Sequence, residues 1–322
     1  MPNDTSEFQL MTEIATLYYI ESETQEAIAS RFDISRMKVG RLLKRAHAEG
    51  IVDVRVKHHP ALINDLEQNL IEKFGIKRAL IAPDYANPDV QRKEVAALVS
   101  DYFTSQLEEE SVVAVGMGRN VAAVADNVFA DKQHSCTFVC AIGGSLKAGE
   151  LINPDHICRR LASKFGGKSQ SLYAPAFVQN MTLMEELLKN STVKQTLDKA
   201  RRADFALVGI GDMSEDSNMV RMGWFSPQEI AEARLNGTVG DMMGYDFIDI
   251  HGKESTTKMQ GRVIGLQLDD LLRIPNVIAI ASESTKAAGI LGALRTGAID
   301  TLATSYANAL TVLSLDDAIK KS

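Results

Sequence analysis

The sequence predicts an α/β protein in two parts, a small helical head and a larger domain built on a mostly parallel sheet. Three observations predict it. Apolar residues recur at helical spacing over the first fifty positions, and β-branched runs alternate with helical stretches from about residue 75 onward. The third is charge. The 322 residues carry a net charge of −7, yet the 31–59 window holds eight Lys or Arg against three acids, while residues 61–322 carry −6. A basic segment on an acidic body suits a DNA-binding head on a sensing or catalytic domain.

Composition narrows the class before any motif is read. Hydrophobic residues make up 45% and charged residues 24%, which excludes a disordered or fibrous chain. No stretch approaches the roughly 20 uncharged apolar residues of a membrane span, and the N-terminus is acidic rather than leader-like. Cys136, Cys140 and Cys158 are odd in number and contain no CxxC pair, which argues against a disulfide framework and a zinc site. The expectation is a soluble, cytoplasmic protein with no membrane partner, no metal and no cofactor.

Phe8, Leu10, Met11, Ile14, Ala15, Leu17 and Tyr18 predict a first helix from about residue 6 to 20. Thr24 is the N-cap of a short second helix carrying Ala27 and Ile28. Phe32-Asp33-Ile34 makes a tight turn, and Ser35 caps a third helix that buries Val39, Leu42, Leu43 and Ala46 and stops at Gly50. Ile51 to Val56 then alternates apolar and polar as a half-buried strand does. Helix, short helix, turn, helix, strand is a winged helix-turn-helix. Ala29 sits where two helices cross and Ile34 pins the turn, leaving the opposite face of the third helix free for the major groove. Gln25, Ser35, Arg36, Met37, Lys38 and Arg41 are the candidate DNA-contacting residues. Lys44, Arg45, Arg55 and Lys57 are better placed for phosphates. This domain is read as residues 1–58 and the remainder, 59–322, as the effector-binding and oligomerisation domain.

Leu62 to Phe74, closed by Gly75, is a helix able to join the two parts and a candidate coupling element. Strands follow at Arg78–Ala82, Ser111–Val115, Cys136–Ile142, Ser171–Ala174, Phe205–Ile210, Val277–Ala281 and Ile299–Ala303. Between them lie helices at Val90–Leu107, Asn120–Ala130, His156–Phe165, around 181–202 and near 285–296. The strands lack polar alternation, as central parallel strands buried on both faces do.

Glycine pairs close three of these strands: Gly116-Met117-Gly118, Gly143-Gly144 and Gly209-Ile210-Gly211. Glycines let backbone approach an anion beside a helix N-terminus, and ligands of open parallel sheets collect at the strands' carboxyl ends. Gly116, Gly118, Arg119, Asn120, Gly143 and Gly144 are therefore candidate ligand residues. A dinucleotide fingerprint fails, because Val121 stands where the third glycine belongs. Gly237 to Tyr245 reads as a shaped loop before the strand-like Phe247–Ile250; within it Asp241 suits sugar hydroxyls, or serves as an Asx-turn acceptor. Glu283 and Lys286 open a helix after a buried strand, where an anionic or polyol ligand would lie. No Ser-His-Asp order, metal cluster or carboxylate dyad accompanies them.

The motifs resemble the SorC-type sugar-binding transcriptional regulators, the family of the deoxyribonucleoside and central glycolytic gene regulators. They are Thr24-Gln25-x-x-x-Ala29 with Ser35-Arg36-x-Lys38-Val39-x-Arg41-Leu42-Leu43, Val115-Gly116-x-Gly118, Ile142-Gly143-Gly144 and Val208-Gly209-Ile210-Gly211. Gly237-x-Val239-Gly240-Asp241-x-x-Gly244 and Lys286-x-x-x-Ile290-x-x-Ala293-Leu294-x-x-Gly297 complete the set. The resemblance implies an effector domain similar to sugar-phosphate isomerase and CoA-transferase folds, without enzymatic activity. It implies that Asp241 holds ligand hydroxyls, and that Lys286 and the backbone near Gly143-Gly144 meet a hydroxyl or phosphate. It further implies a homotetramer that binds operator DNA under control of a sugar, polyol or sugar phosphate. The alternative from another class is a sugar-phosphate isomerase-like enzyme fused to a DNA-binding head, with Asp241 or Glu283 as general base. An NAD-sensing repressor is a third reading, against which the missing glycine counts.

Overall fold

The computed structural model describes residues 3–52, 59–130, 134–215, 217–243, 246–255 and 261–321. The chain divides into two compact units, Met1–Lys57 with Pro83–Gln91, and His58–Ala82 with Arg92–Ser322.

The first unit contains α1 (Asn3–Tyr19), α2 (Gln25–Arg31) and α3 (Arg36–Ala48). Local chemistry starts each short helix: Thr24 Oγ1 accepts from the Ala27 amide at 3.2 Å, and Ser35 Oγ from the Lys38 amide at 3.2 Å. The turn between them places Asp33 at φ 51°, a left-handed conformation that a short polar side chain tolerates. Met11, Ile14, Leu17, Ile28, Ala29, Val39, Leu42, Leu43 and Ala46 form a separate core, with Ile34 packed against it. Ile51 and Val52 close the end of α3 through their amides on the Ala46 carbonyl. The rest of the expected wing strand, with Arg55, Lys57 and His58, lies outside the described residues.

The second unit begins with α4 (Pro60–Phe74), started by Pro60 and ended by Gly75 in the left-handed region at φ 69°. Then follow β1 (Arg78–Ala82), α5 (Pro88–Gln106), β2 (Val112–Val115), α6 (Arg119–Asn127), β3 (Thr137–Cys140) and α7 (Pro154–Phe165). Next come β4 (Lys168–Gln170), α8 (Met181–Lys189), α9 (Ser191–Ala200) and β5 (Phe205–Gly209). The short α10 (Asn218–Arg221), α11 (Pro227–Leu235), β6 (Thr238–Met242) and β7 (Asp246–Asp249) lead to α12 (Leu268–Leu271), β8 (Asn276–Ala281), α13 (Ala287–Arg295), β9 (Thr301–Ser305) and α14 (Tyr306–Lys321).

Seven strands form one parallel sheet in the order β1-β9-β8-β5-β2-β3-β4. Five of them, all but β1 and β4, are interior, and β5, β8 and β9 are buried almost throughout, as their β-branched runs require. The chain winds outward from β2 to β4 and then returns beside β2 with β5. The order therefore reverses between β2 and β5, the place where an open α/β sheet leaves a crevice.

Three expectations need correction. The strand expected at Ser171–Ala174 is instead β4, an edge strand of exposed polar residues fixed by the Lys168 amide on the Cys136 carbonyl. Hydrophobic pattern could not reveal it. The segment expected as a shaped loop, Gly237 to Tyr245, contains β6, paired antiparallel with β7. Gly240 is there for packing: a Cβ would come within 2.7 Å of the Gly211 carbonyl oxygen and 2.8 Å of the Gly289 Cα. Gly244 and Tyr245 lie outside the described residues. The last strand sits two residues later than expected, and α14 follows it.

α14 carries a buried carboxylate. Asp316 accepts from Arg295 at 2.7 Å and lies 2.8 Å from Lys320 and 3.6 Å from Lys73 on α4. Burial alone would raise its pKa, but the hydrogen bonds from Lys320 and Arg295 outweigh that and hold it low. Among the described residues no helix is long and apolar enough to cross a membrane, and no cluster of His, Cys, Asp or Glu is placed to hold a metal.

Asp316→Ala removes the partner of Arg295 Nη2 and leaves that mostly buried cation held by the Ile250 carbonyl, and is expected to cost about 2–4 kcal/mol in urea unfolding at neutral pH. Because the folded carboxyl titrates below its unfolded value, this stabilisation is present above the unfolded pKa and lost in acid. The deficit of the variant should therefore shrink as pH falls.

Candidate functional site

The crevice lies where the order reverses. Three adjacent strands, β8, β5 and β2, deliver the loops 283–286, 209–212 and 117–120 to one place; β6 adds Asp241, and Met243 follows just past its end. The cavity measures about 270 Å³. β6 is attached by an antiparallel bridge between Ile210 and Met242 just beyond β5. A Cβ at Gly211 would overlap the Asp241 carboxylate, so that glycine makes room for the acid.

Glu283 is the hub. Its carboxylate accepts from Asn120 Nδ2 at 2.9 Å and Lys286 Nζ lies 3.0 Å away; Arg119 and Arg92 stand at 3.6 and 3.7 Å. Burial pushes the carboxyl up, but Lys286 and the Asn120 hydrogen bond outweigh it and bring it down to about 2. Asn120 is itself fixed, its Oδ1 accepting from the buried Ser282 hydroxyl at 2.6 Å. Thr285 donates to Asp212 at 2.6 Å and ties the β8 and β5 loops together.

The start of α6 opens on the same space. Its N-cap, Gly118, is at φ 110° and contributes no side-chain cap, so the first-turn amides of the helix are left for another acceptor. Two buried lining atoms, Arg119 Nε and Ser217 Oγ, have no hydrogen-bond partner among the described residues. Buried polar atoms are normally paired, so such atoms in a cavity mark a place for a ligand's polar groups. Among the described residues the lining carries three cations (Arg119, Arg221, Lys286) and three acids (Asp212, Asp241, Glu283). A cavity so balanced suits a hydroxyl-rich ligand, which both donates and accepts.

Of the expected ligand residues, Gly118, Arg119, Asn120, Asp241, Glu283 and Lys286 all line this cavity. Gly116, Gly143 and Gly144 do not. Their amides donate to the carbonyls of Leu207, Ile264 and Ala174, and a Cβ at Gly143 would come within 2.6 Å of the Pro175 backbone. Gly116 and Gly143 serve close backbone packing, which the same sequence signature also describes. The segment 214–224, with Arg221, Met222 and Trp224, was not anticipated; the one-turn helix α10 is too short to show periodicity, and the single Trp of the chain was its only signal.

In the head, Ser35, Arg36, Met37, Lys38 and Arg41 are exposed along α3, Met37 at 86%. Gln25 is half-buried at the start of α2. Arg36 pairs with Glu26 at 2.9 Å, and Arg45, expected to face phosphate, pairs with Glu7 and Glu49 at 2.7 and 2.5 Å. Exposed pairs of this kind are weakly held against solvent, so exchanging them for other anions is cheap.

A reversal-point crevice shaped for a polar small molecule, in a chain with a basic three-helix head, defines the class of effector-binding transcriptional regulators. The family model described as "Putative sugar-binding domain" matches residues 58–314, and the chain belongs to that family. It is 55% identical to the sugar-binding domain of a transcriptional repressor from Vibrio fischeri, covering 79% of this chain and 99% of that one at a TM-score of 0.74. The full-length sorbitol operon regulator SorC from Klebsiella pneumoniae is 27% identical, with 95% and 98% covered and a TM-score of 0.73. The erythritol catabolism regulatory protein EryD of Brucella abortus (strain 2308) is 26% identical over 88% of this chain and 89% of its own length. The SorC-type resemblance is thus borne out. These relatives are regulators of transcription rather than enzymes, and the isomerase-like alternative is without support among them. A carboxylate held near 2 is also a poor general base at neutral pH.

Glu283→Gln removes a carboxylate whose folded pKa, about 2, is below its reference value of 4.5. Its stabilisation is full above the reference value and is lost as pH falls toward 2. Thermal melts should show the variant less stable at pH 7, with the gap to the native protein closing between about pH 4 and 2.

Proposed function

We propose that the chain is a DNA-binding regulator of carbohydrate catabolic genes, controlled by a sugar, polyol or sugar phosphate that occupies the crevice. Residues 1–58 form the operator-binding domain, with Gln25, Ser35, Arg36, Met37, Lys38 and Arg41 toward the bases. Residues 59–322 form the effector and oligomerisation domain. The observation that carries the reading is the meeting of Asn120, Asp241, Glu283 and Lys286 at one reversal-point crevice. Asp241 accepts from ligand hydroxyls and Lys286 donates to them. An anionic group on the ligand faces the first turn of α6 and Arg119, since the Gly143 and Gly144 amides are already engaged. The resemblance to SorC-type regulators supports a cytoplasmic homotetramer. Control works by linkage: an effector that binds two arrangements of the assembly unequally shifts operator affinity, and operator DNA shifts effector affinity by that same factor.

A thermal-shift screen of the pure protein against sugars, polyols and their phosphates should yield a selective stabiliser, because a ligand at a hundred times its Kd adds about 2.7 kcal/mol. Asp241→Ala and Lys286→Ala should each weaken that ligand by roughly ten- to a hundredfold, as expected for hydrogen bonds to charged groups. No shift across the panel would remove the carbohydrate reading.

The double substitution Arg36→Ala, Lys38→Ala should weaken operator binding by about tenfold or more in fluorescence anisotropy while leaving effector affinity unchanged. Equal operator binding by this variant would place DNA recognition elsewhere than on α3.

A further inference from the structure

The third helix of the head turns one large apolar side chain into water. α3 buries Val39, Leu42, Leu43 and Ala46 in the core that it shares with α1 and α2. At about 3.6 residues per turn, Met37, Arg41 and Lys44 fall on the side away from that stripe, and all three are exposed. The Ser35 cap fixes where α3 starts, so Met37 is the second residue of its first turn. That turn is the part of a recognition helix that reaches base edges.

Gly40 stands beside Met37, one turn further on. A glycine inside a helix is a poor helix former, and no packing among the described residues demands this one. A Cβ there would meet only Gln25 Oε1 among them, at an ordinary 3.5 Å. The missing side chain keeps the flank of Met37 low, so that a flat base edge can come against the thioether.

What Met37 can sense is limited by its chemistry. Arg36, Lys38 and Arg41 carry N–H donors for bases or phosphates, whereas a thioether is at most a weak acceptor. The major-groove edges of the base pairs present donors, acceptors and one apolar group, the C5-methyl of thymine. An unbranched, flexible methionine can cover that methyl. Arg41 and Lys44, on the same face, supply the positive charge that holds it against phosphates.

From this geometry we infer that Met37 recognises the C5-methyl of a thymine in the operator and sets the choice of base at that position. This rests on the reading of α3 as the operator-contacting helix and narrows it.

The test uses the full-length protein and the duplex that it selects from a random DNA pool. Each thymine of that duplex is replaced in turn by uracil, which keeps the base pair and its O4 acceptor and removes only the methyl. Fluorescence anisotropy should show a thymine at which the change weakens binding about three- to fivefold, the effect of one buried methyl group. Met37→Ala should lose a similar factor on the thymine duplex and bind the thymine and uracil duplexes alike. Position 37 is 86% exposed and Ala favours helix, so this variant keeps the fold, which a thermal melt checks. If no exchange of thymine for uracil weakens the native protein, the inference is overturned, and that comparison needs no variant. It is overturned equally if Met37→Ala still tells the two duplexes apart; in both cases the reading of α3 stands or falls on Arg36→Ala, Lys38→Ala instead. If the protein selects no duplex at all, the DNA-binding reading fails first and the inference with it.

Discussion

A carboxylate taken out of water must be met by cations and hydrogen-bond donors, and in this protein that requirement organises the crevice around Glu283. Asn120 from α6, Lys286 ahead of α13, Arg119 and Arg92 all turn toward one acid. The backbone is drawn in as well, with Asn308 of α14 donating to the Glu283 carbonyl at 3.1 Å. Elements far apart in the chain are thereby held at one point, with Lys286 kept beside the cavity. Removing the hub would loosen several walls at once. A ligand that competes for Lys286 or Arg119 would likewise be felt by every element tied to the same carboxylate.

The second constraint is closeness. The β6–β7 hairpin reaches the crevice because glycines leave room for backbone to pass backbone. Gly240, Gly289 and Gly211 meet within a few ångströms, and a Cβ at Gly292 would come within 2.6 Å of the Asp249 carbonyl oxygen. Without that approach Asp241 would not stand beside Glu283 and Lys286. The glycines of this chain are thus of two kinds. Gly118 is needed for its conformation at φ 110° and for an uncapped helix start, whereas Gly143, Gly211 and Gly240 are needed because they lack a side chain.

Several features were legible in the sequence for local reasons. Thr24 and Ser35 cap the helices that follow them because a hydroxyl three residues ahead of an amide is sufficient to do so. The apolar spacing of α1 to α3 marked the residues that became the core of the head. Runs such as Val277 to Ala281 announced buried parallel strands by their lack of polar positions. Residues that follow a strand and open a helix, such as Arg119, Asn120, Glu283 and Lys286, could be picked out for the same reason.

Local pattern was enough for the helices and their caps, the interior strands, the basic face of α3 and most of the polar residues of the crevice, because each depends on neighbours within a few positions. Which strands lie side by side emerges only on folding, and with it that the loops after β2, β5 and β8 share a crevice while Gly143-Gly144 stands outside it. Folding also turned a glycine-rich stretch into β6, made a polar tripeptide into the edge strand β4, and brought Met219, Met222 and Trp224 to the same cavity as Glu283 and Lys286. The difference is one of range. Capping and periodicity act along the chain, but sheet order, backbone approach at glycine and the assembly of the crevice come from contacts between residues scores of positions apart, which no local pattern encodes.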